Sequence, residues 1–161
     1  MVRQGEHNAY NVMSKKHVPE KKVAIIKACF YQDIVDGLEA QAMSVLRDDM
    51  SVVVERIDVV GAFELPSALH IVSTSGEGGK SPYAGYLLLG CIIRGETDHD
   101  RYVCESCFRG LMDVILRGRL AVGMGILTLR SREQAQARLV CGARAGRACL
   151  QMMALQDTYR G

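Results

Sequence analysis

Hydrophobic and polar positions change period several times along the chain, and each change marks an element. Residues 22–28 (KVAIIKA) form a short apolar run rich in β-branched side chains, which predicts a strand. From Asp33 the period lengthens. Ile34, Val35, Leu38, Ala42, Val45 and Leu46 recur at three and four, one face of a helix. Residues 51–60 (SVVVERIDVV) return to strand character. GAFELP follows, and Pro66 suits the first turn of a short helix over 66–73. GEGGKSP reads as a surface loop, and residues 85–93 (GYLLLGCII) as a third strand. A third helix is predicted over 102–117, with Val103, Leu111, Val114 and Ile115 turned inward. Residues 120–127 (LAVGMGIL) give a fourth strand. Ser131 suits the N-cap of a helix running through Arg138. A last helix covers 144–156, with Gly142 separating the two.

The order is β-α-β-α-β-α-β-α-α. Strands that read as apolar on both faces belong to parallel sheets covered by helices, so the expected class is α/β. Residues 1–20 lack periodicity. They are expected to form a flexible N-terminal arm, or one that pairs with a neighbouring subunit, ahead of a single domain over 21–158.

Composition narrows the function classes. The chain has 161 residues, enough for one domain with a sizeable core, since 48% of them are hydrophobic. A net charge of +2 and the absence of Trp weigh against a nucleic-acid partner. No apolar run approaches the roughly 20 residues of a membrane span. The opening MVRQGEHNAYNVMSKK lacks the apolar centre of a signal peptide, so a cytoplasmic location is expected. In that setting the six cysteines predict free thiols rather than a disulfide framework.

Candidate chemistry collects where strands end. In an open α/β sheet, ligands sit outside the carboxyl ends of the strands. The loops there contribute Phe30 from CFYQD, Glu64 from GAFELP, His99 from RGETDHDRY and Arg138 from LTLRSREQAQAR. An aromatic face, a carboxylate, a proton carrier and a cation suit a flat polar ring bearing hydroxyls, together with an anion. Plainer readings stand beside these. Phe30 also reads as core, Glu64 as a helix-start carboxylate, His99 as a capping partner and Arg138 as an exposed helix charge. The richest stretch is GCIIRGETDHDRYV, residues 90–103. It carries a buried strand into a polar cluster and then a helix start, whose free N–H groups suit phosphate. A histidine there can move protons near neutral pH.

Two other motifs carry less. Cys104 and Cys107 form a C-x-x-C at a helix start, readable as a redox pair or as half of a zinc site with His99. No second C-x-x-C completes a zinc set, and the motif follows the third strand rather than an early one. Gly123-Met-Gly125 lacks the third glycine of a dinucleotide fingerprint and lies inside a strand.

Three ordered motifs, GAFELP, GCIIRGETDHDRYV and GILTLRSREQAQAR, resemble those of the lumazine synthase family of riboflavin biosynthesis. The resemblance spans about residues 22–155. It implies a flavodoxin-like three-layer sandwich with a four-stranded parallel sheet flanked by helices. It implies condensation of 5-amino-6-(D-ribitylamino)uracil with 3,4-dihydroxy-2-butanone 4-phosphate, with no metal and no organic cofactor. It also implies homopentamers, some packed into 60-subunit shells, with active sites between subunits.

By position along the matched stretch, the resemblance implies that Phe30 corresponds to the residue that stacks on the pyrimidine, and Ala62, Phe63 and Glu64 to those that hold the ribityl chain. Cys91, Ile92 and Ile93 correspond to the backbone contacts at the uracil edge. Glu96 and Thr97 fall where the butanone phosphate binds, Arg138 on the phosphate-binding arginine, and His99 on the catalytic histidine. Met124 falls on the uracil-substrate side, where many members have a Phe beside the pyrimidine, and Asp100 stands where the residue after the histidine is usually aromatic. LVCGARAGR departs from the family's lysine-bearing pattern, leaving Arg144 or Arg147 as substitutes and favouring a pentamer over a shell. The competing expectation is a non-catalytic lumazine- or flavin-binding protein of the same fold.

Overall fold

The computed structural model describes residues 20–159. Its elements run β1 (Lys21–Ala28), α1 (Gln32–Leu46), β2 (Val52–Val59), α2 (Leu65–Ser73), β3 (Gly85–Ile93), α3 (His99–Gly118), β4 (Val122–Leu129) and α4 (Cys141–Tyr159). The four strands pair in the order β2-β1-β3-β4, all parallel. The expected arm falls almost wholly outside the described residues.

Helices cover both faces of the sheet. On one side Ile25, Leu87 and Leu89 pack with Leu38 and Leu46 of α1 and Ala145 of α4. On the other side Ala24, Ile26 and Leu88 pack with Leu65 and Leu69 of α2 and with Cys107 and Leu111 of α3. Alternate residues of the central strands therefore feed opposite layers, as the period of two requires. This is the flavodoxin-like three-layer sandwich.

Several expectations need correction. Only the central strands β1 and β3 are apolar on both faces. The edge strand β4 alternates between buried and less buried positions and β2 has no buried residue, because the two faces are less fully covered at the rims of the sheet than at its centre. The helix expected from Ser131 through Arg138 is instead two 3₁₀ turns, Arg132–Gln134 and Gln136–Arg138. Their bonds run three residues back, as from Ala135 N–H to the Arg132 carbonyl at 3.0 Å and Arg138 N–H to the Ala135 carbonyl at 2.9 Å. Ser131 makes no side-chain cap, and Ala135 is the one fully buried residue between 131 and 138, too little apolar surface to anchor a longer helix.

Gly142 does not separate helices; it is the second residue of α4. A Cβ there would lie 2.0 Å from the Leu38 carbonyl oxygen, so the glycine permits the close approach of α4 to α1. Helix α3 begins three residues earlier than the apolar pattern suggests. The Asp98 carbonyl accepts from Arg101 N–H and Tyr102 N–H, which brings His99 into the first turn.

Candidate active site

The strand order reverses direction between β1 and β3, and the crevice outside their carboxyl ends is where such sheets hold ligands. A cavity of about 390 Å³ opens there. Pairing of β1 with β3 ends at Lys27 and Leu89, whereas β3 pairs with β4 as far as Ile93 and Leu129. Residues 91–93 therefore run beyond β1 with a strand neighbour on one side only. Cys91, Ile92 and Ile93 all line the cavity.

Phe30 belongs to the 3₁₀ turn Cys29–Tyr31 that follows β1. It is 70% exposed and lines the cavity, so it is not a core residue. Its ring meets Tyr31 edge-on, with centroids 5.0 Å apart. The Arg132 guanidinium lies over the Tyr31 ring and pairs with Asp33. That contact ties the segment after β4 to the start of α1, next to Phe30.

Ala62, Phe63 and Glu64 form a 3₁₀ turn after β2, and all three line the cavity. Ala62 is buried, while Phe63 and Glu64 are exposed. Gly61 N–H donates to Glu64 Oε2 at 3.0 Å. The plainer reading of Glu64 as a carboxylate at a helix start thus holds, and it coexists with a place on the cavity wall.

The turn after β3 supplies Thr97 and His99 to the same cavity. His99 N–H donates to Thr97 Oγ1 at 3.4 Å, and Gly95 N–H donates to Asp100 Oδ1 at 3.2 Å. His99 is the first residue of α3 and its side chain is exposed. Tyr31, Val60, Gly61, Gly95, Asp100 and Val103 complete the lining. None of these was expected as a site residue, although Val103 was read as an inward helix position and Asp100 as a departure from the family pattern. Tyr31, Gly61, Gly95 and Asp100 each adjoin an expected site residue, and that adjacency was the available signal.

Three expected site residues do not line this cavity. Glu96 is exposed in the turn. Met124 is half-buried in β4, packed on the α2 and α3 layer. Arg138 is exposed, with Nη1 donating to the Gln134 carbonyl at 2.9 Å. Arg144 and Arg147 are exposed on α4.

The thiols near the site are poor nucleophiles. Burial pushes Cys91 up to about 11, so at neutral pH it is an uncharged part of the wall. Burial likewise pushes Cys107 up to about 11 and raises Cys104, which weakens the redox reading of the C-x-x-C pair. Among the described residues, no three His, Cys, Asp or Glu side chains are grouped to hold a metal ion. The glycines of the Gly123-Met-Gly125 motif serve packing. A Cβ on Gly123 would lie 2.0 Å from the Ala145 carbonyl oxygen of α4.

Known proteins match this chain over nearly all of its described length. The family profile described as 6,7-dimethyl-8-ribityllumazine synthase matches residues 20–157. A protein of that name from Paramagnetospirillum magneticum is 44% identical over 142 residues, covering 84% of this chain and 94% of the relative. One from Afipia carboxidovorans is 37% identical over 147 residues, covering 88% and 90%. One from Bartonella tribocorum is 38% identical over 152 residues, covering 91% and 97%. With matches of this extent, the chain belongs to the 6,7-dimethyl-8-ribityllumazine synthase family.

Proposed function

We propose that this protein is a transferase of riboflavin biosynthesis. It condenses 5-amino-6-(D-ribitylamino)uracil with 3,4-dihydroxy-2-butanone 4-phosphate to give 6,7-dimethyl-8-ribityllumazine, phosphate and two waters. The observation that carries the reading is convergence on one cavity. An exposed aromatic ring, a carboxylate-bearing turn, the strand end beyond β1 and the Thr97–His99 turn all line it.

Each wall suits one part of the substrates. Phe30 offers a face for the pyrimidine. Ala62, Phe63 and Glu64 form the ribityl side, where Glu64 accepts from hydroxyls. The backbone of Cys91, Ile92 and Ile93 meets the uracil edge, as a neighbouring strand would. The Thr97 hydroxyl and backbone N–H groups at the start of α3 hold the butanone phosphate. The Glu96 carboxylate points away from that dianion.

The chemistry needs proton movement and no change of oxidation state supplied from outside. The 5-amino group attacks the ketone and water leaves, giving an imine. A proton then leaves carbon, the electron pair shifts, and phosphate departs. The ribitylamino nitrogen closes on the resulting carbonyl and a second water leaves. His99 shuttles these protons, an effect of about 10²–10⁴-fold in rate. Holding the two substrates side by side contributes more.

The same reading makes the protein a homopentamer with sites between subunits. Arg138 is exposed and lies outside its own chain's cavity, which suits a cation reaching a neighbour's site. Exposed Val60 and Phe63 at the cavity rim suit coverage by an adjacent copy. All six cysteines are free, which suits a reducing cytoplasm.

Single substitutions test these assignments. His99→Ala should lower kcat by about 10²-fold yet retain a residual rate. Arg138→Ala should chiefly raise KM for the phosphate substrate, since it removes a charge that binds the phosphate. Co-refolded mixtures of the two variants should regain turnover, because a His99 from one subunit then meets an Arg138 from its neighbour. Mixtures no more active than the average of the two would reject the shared site.

A further inference from the structure

We propose that Asp100 is a positioning residue whose carboxylate braces the turn carrying Thr97 and His99; the inference rests on the function proposed above. Arg94 N–H donates to the Leu129 carbonyl, the last sheet bond of this segment. Gly95 is the first residue past the sheet, and its N–H donates to Asp100 Oδ1 at 3.2 Å. Asp100 itself lies in the first turn of α3, where the helix field favours a negative charge. The bond therefore joins the end of the sheet to the start of the helix across Glu96, Thr97, Asp98 and His99.

Those four residues are exposed, so packing does little to hold them. Inside the loop, His99 N–H also donates to Thr97 Oγ1 at 3.4 Å. The outer brace from Asp100 fixes the span, and the inner bond fixes Thr97 against His99. Both Gly95 and Asp100 line the cavity, so the brace lies at the site itself. Without it, the turn samples conformations in which the Thr97 hydroxyl and the helix-start N–H groups no longer point together, and the phosphate substrate must reorder them on binding. The residue after the histidine thus does a job here that its acceptor oxygen makes possible.

The test compares Asp100→Ala, which removes the acceptor, with Asp100→Asn, which keeps an oxygen and loses the charge. Two readings are taken on folded full-length protein. One is the Gly95 amide resonance in a ¹⁵N spectrum. The other is KM for 3,4-dihydroxy-2-butanone 4-phosphate beside kcat. Asp100→Ala should shift the Gly95 amide and raise that KM about fivefold to tenfold, with KM for the uracil substrate within about twofold. Asp100→Asn should keep both readings near wild type. The proposal is overturned if Asp100→Ala leaves either reading unchanged, or if Asp100→Asn behaves like Asp100→Ala. Absence of wild-type turnover would sink the enzyme reading, whereas the Gly95 amide judges the brace on its own.

Discussion

Lys27 carries a charge into the sheet, and its surroundings explain how. It is only 7% exposed, yet Nζ lies 2.8 Å from Glu39 Oε2, 3.4 Å from Asp36 Oδ1 and 3.7 Å from Asp58 Oδ1. Arg56 takes the other Glu39 oxygen. Burial by itself would raise the Glu39 carboxyl, but hydrogen bonds from Lys27 and Arg56 outweigh it and hold the group below its ordinary value. A carboxylate depressed on folding contributes stability above its unfolded pKa of about 4.3, and that contribution fades as pH falls through the lower folded value. Urea unfolding between about pH 5 and pH 3 should therefore lose stability in wild type. Glu39→Gln should be less stable at neutral pH, with a flatter profile over the same interval. A variant whose slope equals that of wild type would contradict the assignment. In KVAIIKA, Lys27 reads as an ordinary strand position, because its partners come from α1 and β2. Asp100 was obscure for a similar reason: its oxygen serves an N–H five residues back, a contact that apolar periodicity does not encode.

At the scale of elements, glycines decide how closely α4 approaches the rest. Gly123 of β4 faces the Ala145 carbonyl so tightly that an added methyl must displace backbone, not a side-chain tip. Gly123→Ala should cost about 3 kcal/mol in denaturant unfolding. A change under about 0.5 kcal/mol, the range of a neutral surface substitution, would show that the sheet and α4 are looser than described. The strands were legible as apolar, β-branched runs, α1 from its regular apolar period, and α2 from Pro66 in its first turn. The segment between β4 and α4 was not, since Gln134 N–H to the Ser131 carbonyl and its fellow bonds are local, and one buried alanine leaves almost no pattern to read. The start of α3 was hidden because Asp98, His99, Asp100 and Arg101 carry no apolar face.

For the whole molecule, the sheet order places the ends of β1, β2 and β3 around one crevice, which is why motifs far apart in sequence share a wall. Phe30, Glu64 and His99 were legible as loop residues after strands, and the topology brings all three to one cavity. Arg138 was singled out by its place after β4 and Met124 by its position in the family resemblance, and neither lines the chain's own cavity. The proposed site completed by a second copy would account for the separation of Arg138. The most direct measurement mixes the purified wild-type protein with both substrates and follows lumazine absorbance together with phosphate release. The account predicts that the two products appear together, in equal amounts, only when both substrates are present, and faster than the uncatalysed condensation. Folded protein that binds lumazine or riboflavin but gives no turnover above the uncatalysed rate would contradict it.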